Sequence, residues 1–217
     1  MTVRIDCADG RERPRAVTAA IAALRRGDLV ILPTENTYVL ATDPFSSRGT
    51  RALRAAKGQP DETPLGLVLP RAGTVPGIAA DVSASARTLM AAFWPGMLTL
   101  LLEPQPTLAW DHPAGSPIAL RVPAHPIALA VVSESGPTAA SGITDGGDPV
   151  RSCDHAMQVH PDAAIALDAG TLAAHWSDIE DPELASTIVD VRGDKATILR
   201  HGAISEERIR AALAATT

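Results

Sequence analysis

The chain alternates short apolar runs with stretches in which apolar residues recur every three or four positions. Residues 29–32, Leu-Val-Ile-Leu, are a continuous apolar run that predicts a strand buried on both faces, ended by Pro33 because proline has no N–H for a neighbouring strand. Before it, Val17, Ile21 and Leu24 share one face of a predicted helix over 15–26, with Gly27 as its stop. A second helix is predicted over 48–57, with Leu53 inward, several arginines outward and Gly58 as its end. Strands are predicted at 65–69, 97–102, 118–122, 138–141, 163–167, 187–191 and 197–199, and helices at 83–93, 126–133, 150–159 and 205–214. Prolines at 104, 106, 113 and 117 forbid regular structure over 103–117, which reads as a surface excursion. Residues 142–147 read as a flexible glycine loop, and the polar stretch 169–185 is long enough to act as a flap. Strands and helices mixed along one chain, without repeats, predict an α/β or α+β fold around one twisted sheet, with 1–217 as a single domain.

Composition narrows the function classes. Aromatic residues make up only 3% of the 217, so the core must be built from Ala, Val, Leu and Ile. No apolar stretch reaches the length of a membrane span, and early charges at Arg4, Asp6 and Asp9 do not suit a signal peptide; a soluble, cytoplasmic protein is expected. Two distant cysteines, Cys7 and Cys153, give neither a disulfide framework nor metal spacing, and His155 and His160 are five apart, wrong for two ligands on one helix face. No residue is therefore assigned to a metal. A net charge of −6 argues against strong nucleic-acid binding. Of the 19 basic residues 17 are arginine, which makes Lys57 and Lys195 stand out, as does the single asparagine, Asn36. The motifs of serine hydrolases, P-loop enzymes and Rossmann dehydrogenases are absent. The polar cluster Thr34-Glu35-Asn36-Thr37-Tyr38 leaves a central strand where α/β sheets commonly bind ligands; an ordinary strand-to-loop exit reads equally well.

Several stretches together resemble the YrdC/Sua5 family: Pro33-Thr34 to Asp43, Lys57 with Thr63-Pro64-Leu65, Phe93-Trp94-Pro95-Gly96 with Leu98-Thr99, Leu120 to Pro126, Ser186 to Asp190, and Leu199 to Ile204. The resemblance implies a YrdC-like domain, a twisted mixed parallel and antiparallel sheet with flanking helices and a concave ligand-binding face. It also implies formation of threonylcarbamoyl-adenylate from ATP, bicarbonate and threonine, with Mg, for a tRNA modification. In that chemistry an amine captures carbon dioxide as a carbamate, whose oxygen attacks the α-phosphorus and expels pyrophosphate. The site then needs cations and fixed N–H donors more than a nucleophile.

By the same resemblance Lys57 is the phosphate-binding and catalytic lysine, and Lys57, Gln59, Ser141, Thr144 and Arg200 are nucleotide-binding. Thr34, Asn36, Tyr38, Arg121 and Ser186 are expected to bind the amino acid or amine. The chain departs from the family pattern at Asn36 and Val39, where a threonine and a glycine are usual, at Gln59 in place of an arginine, and at Gly142-Ile143-Thr144 in place of Ser-x-Asn. Arg54 and Arg151 are the candidates to compensate, and Glu35 is expected to face outward or to meet an amine. Changes gathered at the site suggest a repurposed paralogue acting on a substrate other than threonine. The alternative is a non-catalytic nucleotide- or RNA-binding module.

Overall fold

The computed structural model describes residues 1–172, 185–193 and 195–215. In chain order the elements are β1 (Val3–Asp6), α1 (Arg13–Arg25), β2 (Val30–Pro33), β3 (Tyr38–Thr42), α2 (Ser47–Ala56), β4 (Leu67–Val68), α3 (Ala84–Phe93), β5 (Leu98–Leu102) and β6 (Ile118–Arg121). They continue with α4 (Pro126–Ser135), β7 (Thr138–Gly142), β8 (Thr144–Asp145), β9 (Asp148–Pro149), α5 (Cys153–Val159), β10 (Ile165–Asp168), β11 (Thr187–Asp190), β12 (Thr197–Arg200) and α6 (Glu206–Ala214). Ten strands form one sheet in the order β1-β10-β2-β3-β7-β4-β6-β5-β11-β12. Parallel pairs such as β10 with β2 and β5 with β11 mix with antiparallel ones such as β2 with β3 and β5 with β6, as the mixed α/β expectation requires. No helix among the described residues is long and apolar enough to cross a membrane.

Side-chain alternation divides the cover of the sheet. Ile31, Leu40, Leu98, Leu100, Ile118 and Leu120 point to one face and build the larger core with Leu53 of α2, Leu89 of α3, Ala156 of α5 and Ile209 of α6. On the opposite face Val30, Leu32, Val39, Ile165 and Leu167 pack with Val17, Ile21 and Leu24 of α1 and with Ile127 and Val131 of α4. This second cluster spans only the half of the sheet near β10, β2 and β3. Local caps set the helix starts: Ser46, Ser83, Ser152 and Ser205 each accept a backbone N–H from the first turn of α2, α3, α5 and α6. Gly27 takes φ +72° just after α1, a conformation that glycine adopts without cost.

Several expectations are corrected. Pro33 is the last residue of β2, as expected, but it still pairs with Tyr38, because β2 and β3 form an antiparallel pair joined by residues 34–37, a pairing that the sequence pattern does not foresee. Tyr38–Thr42, which lacks a simple alternation, is a strand buried along its whole length, and β1 likewise escaped the pattern. The strand expected at 65–69 shrinks to Leu67–Val68, and residues 142–147 are not a simple loop but lead into the β8–β9 hairpin, with Gly146 and Gly147 at positive φ. The helix expected over 150–159 starts only at Cys153, after its Ser152 cap. Most of the 169–185 flap lies outside the described residues.

The arginines of α2 do not all face outward. Arg54 is 1% exposed and reaches across to the proline-rich excursion, where its Nη1 meets Asp111 Oδ2 at 2.8 Å and its Nη2 donates to the Asp111 carbonyl at 3.1 Å. Its Nε donates to Thr63 O at 2.9 Å, and Thr50 Oγ1 donates to the same Asp111 carboxylate at 2.5 Å. Residues 103–117 are therefore tied back to the core instead of trailing over the surface, and Arg54 is not available to a ligand.

Arg54→Met removes charged hydrogen bonds and is expected to lower stability by about 1.5–3 kcal/mol in urea unfolding. Burial pushes the Asp111 carboxyl up, but Thr50 and Arg54 outweigh it and hold it below its ordinary value. A depressed carboxylate stabilises above its unfolded pKa, about 3.9, and loses that contribution as pH falls through the folded value. Asp111→Asn should accordingly flatten the acid limb of a stability-versus-pH curve below about pH 4. Gly202 lies between β12 and α6, where an added Cβ would meet Ala185 O and sit 2.6 Å from Thr187 N. Those are backbone atoms, so Gly202→Ala should cost about 1–3 kcal/mol by the same measurement.

Candidate functional site

Where α1 and α4 stop covering the sheet, its second face is bare and forms a cavity of about 400 Å³. The residues that line it are the outward positions of the strands whose inward neighbours fill the core: Thr99 against Leu98 and Leu100, Ala119 and Arg121 against Ile118 and Leu120, Ile188 against Thr187 and Val189. Gly66, Ala119 and Ala140 keep the floor shallow. The turn between β2 and β3 supplies Thr34, Asn36 and Thr37 at one side, and the start of the β8–β9 hairpin supplies Thr144.

Of the residues singled out from the sequence, the cavity gathers Thr34, Asn36, Arg121, Ser141, Thr144, Ser186 and Arg200. Thr34 Oγ1 donates to Thr37 O at 2.6 Å, which closes the 34–37 turn and leaves the hydroxyl oxygen as an acceptor. Lys57 caps the C-terminal end of α2 and does not itself line the cavity; its Nζ donates to the carbonyl of Gly142, a lining residue, at 2.7 Å. Burial lowers the Lys57 pKa, and an ammonium has two further hydrogens to offer. Gln59 does not line the cavity; its Oε1 is buried without a hydrogen-bond partner among the described residues. Tyr38 is also outside it. Its side chain lies in the larger core, where the hydroxyl donates to Gly170 O at 2.8 Å and accepts from Ala169 N at 3.0 Å. Burial first of all raises its pKa, which keeps the phenol neutral.

The charged groups are arranged unequally. Arg200 donates through Nε and Nη2 to Ser186 O at 3.0 and 2.8 Å and through Nη2 to Ser186 Oγ at 3.0 Å. No carboxylate among the described residues pairs with it. Burial, and then the nearby charge of Arg121, disfavour its cationic form. A guanidinium does not release its proton at neutral pH, so an anion bound in the cavity relieves that penalty instead. Ser186 Oγ also shares a hydrogen bond of 2.9 Å with Thr99 Oγ1, giving a row of Thr99 in β5, Ser186 just before β11 and Arg200 at the end of β12.

Glu35, expected to face outward or to meet an amine, is buried and lies 2.7 Å from Arg121. Neither Glu35 nor Thr99 was singled out as a site residue. For Thr99 the signals are a hydroxyl inside an apolar strand and its place in the Leu98-Thr99 motif, and for Glu35 a carboxylate between two polar neighbours. No group of three or more His, Cys, Asp or Glu side chains suited to a metal occurs among the described residues.

Residues 22–202 match the Sua5/YciO/YrdC family, described as "Telomere recombination". A Mycobacterium tuberculosis protein provisionally named threonylcarbamoyl-AMP synthase is 36% identical over 212 residues, covering 96% of this chain and 94% of the relative. Threonylcarbamoyl-AMP synthase of Bacillus subtilis is 31% identical over 202 residues, covering 91% of this chain but only 56% of that protein. The crystal structure of P. abyssi Sua5 complexed with L-threonine superposes with a TM-score of 0.83 at 25% identity, over 98% of this chain and 61% of that one. E. coli YciO, at 17% identity and a TM-score of 0.80, shares the fold. With most of its length matched in sequence and its sheet matched in space, the chain belongs to the Sua5/YciO/YrdC family.

Proposed function

We propose that this protein is an enzyme of the threonylcarbamoyl-AMP synthase kind, joining threonine, bicarbonate and ATP with release of pyrophosphate. The observation that carries this reading is one cavity holding Arg200, which has no carboxylate partner among the described residues, together with the hydroxyls of Thr34, Ser141, Ser186 and Thr99. An anion would be drawn to Arg200 and to Lys57 next to Gly142, while the hydroxyls and Asn36 would orient a small polar ligand. The threonine-bound relative and the synthases above support threonine over the substrate change suggested by the altered motifs. Asn36 and Val39 do line the cavity, but Gln59 does not.

In the proposed reaction the amine of threonine takes up the carbon of bicarbonate as a carbamate with loss of water, the carbamate oxygen attacks the α-phosphorus of ATP, and the bond to pyrophosphate breaks. This chain's part is to hold the two reactants in line and to offset developing negative charge on the phosphates. Mg would add positive charge on the phosphate oxygens. Among the described residues no Asp or Glu lines the cavity, so the ion would be held mainly by phosphates and water, with hydroxyl and amide oxygens as the protein ligands within reach. The same reading takes 1–217 as a single domain, supported by the continuous sheet from β1 to β12. It also carries a cytoplasmic location and an indirect link to tRNA modification through the product.

Purified protein with ATP, Mg, bicarbonate and threonine should release pyrophosphate, and omission of any one should stop it. Release only with another amino acid or amine in a substrate panel would restore the altered-substrate reading. ATP binding without release across the panel would favour a non-catalytic module. Arg200→Met should weaken ATP binding by calorimetry about ten- to a hundredfold, as loss of a charged hydrogen-bond donor predicts.

A further inference from the structure

Two guanidinium groups, those of Arg121 and Arg200, face one cavity, close enough for the charge of Arg121 to disfavour that of Arg200. Among the described residues only Arg121 meets a carboxylate. Glu35 Oε2 lies 2.7 Å from Arg121 Nη2, and Glu35 Oε1 accepts the Ala124 N–H at 2.6 Å. Arg121 Nε donates to Gly96 O at 2.8 Å, so the guanidinium is held on two sides. The Glu35 side chain is 0% exposed against 14% for Arg121, which leaves the arginine at the cavity wall and the carboxylate behind it.

We infer that Glu35 is a positioning residue for the reaction proposed above: through Arg121 it fixes an oriented but charge-compensated donor at one end of the cavity, leaving the net positive charge at Arg200. The inference rests on that reading for the identity of the ligands, not for the charge arrangement. A carboxylate placed behind an arginine has a chemical advantage over one in the cavity. In contact with the substrate amine it would stabilise the ammonium form, which has no lone pair to capture carbon dioxide. Behind Arg121 it shapes the site without touching that nitrogen. It also offsets part of the repulsion between two arginines that share a small cavity.

Glu35→Gln keeps the size of the side chain and a carbonyl for the Ala124 N–H while removing one negative charge. Inorganic pyrophosphate, followed by calorimetry, should then bind three- to tenfold more tightly at low salt than to the unaltered protein, with a smaller gain at high salt. Pyrophosphate release in turnover should nevertheless fall at least tenfold in kcat, because Arg121 is no longer fixed. Unchanged or weakened pyrophosphate binding would overturn the inference, since a merely structural glutamate predicts loss of both binding and turnover. If Glu35→Gln does not fold, the double variant Glu35→Gln with Arg121→Gln carries the test. It should bind pyrophosphate within about twofold of the unaltered protein, because the net charge is the same. A tenfold loss would show that Arg121 acts as an uncompensated anion receptor and would overturn the inference. Failure of the unaltered protein to turn over threonine would sink the proposed reaction alone, since the pyrophosphate affinities still decide the role of Glu35.

Discussion

A ten-stranded sheet presents two faces, and here α2, α3, α5 and α6 pack on one while α1 and α4 reach over only half of the other. This unequal cover governs the rest of the molecule. Outward positions of β4, β5, β6, β7 and β11 cannot all be large and apolar without leaving an exposed hydrophobic patch. Small residues and hydroxyls therefore stand among them beside Ile188, with Arg121 and Arg200 at the strand ends. The cavity is the uncovered half of a sheet, not a cleft between separate bodies.

Rigidity behind that face comes from polar contacts as well as from packing. Arg54 gathers α2, the 57–64 segment and the proline-rich excursion around one buried guanidinium. Glu35 gathers the β2–β3 turn, Arg121 and the backbone at Ala124 around one buried carboxylate. Each buried charge meets an opposite charge and backbone partners, the condition under which a buried ion is tolerated. The two clusters differ in consequence. Arg54 is spent within the scaffold, whereas the partner of Glu35 still faces the cavity, and that difference turns one ion pair into a support of the fold and the other into a determinant of site charge.

Membership of the Sua5/YciO/YrdC family gives a frame in which the departures can be weighed by position. Asn36 and Val39 touch the cavity and bear on what fits there. Gln59 lies outside it, so the loss of an arginine at that point does not translate directly into a lost ligand contact. The B. subtilis relative extends well beyond the matched region, which is also true of the P. abyssi structure, and the likeness concerns the part that carries the sheet and its open face.

The sequence by itself determined the local elements whose cause is local. A buried apolar run at Leu29 to Leu32, serines before helical faces, glycine after α1 and the ordered string of family motifs were all legible, and with them the mixed α/β class. The pairing of β2 with β3, the reach of Arg54 to Asp111 and the burial of Tyr38 were not. Each depends on a partner distant in sequence or on which face of the sheet is covered, and hydrophobic periodicity holds no term for either. Glu35 shows the limit most directly. As a residue type it is read as solvated or ligand-facing, and only the approach of Arg121, 86 positions later in the chain, makes burial favourable by supplying the opposite charge.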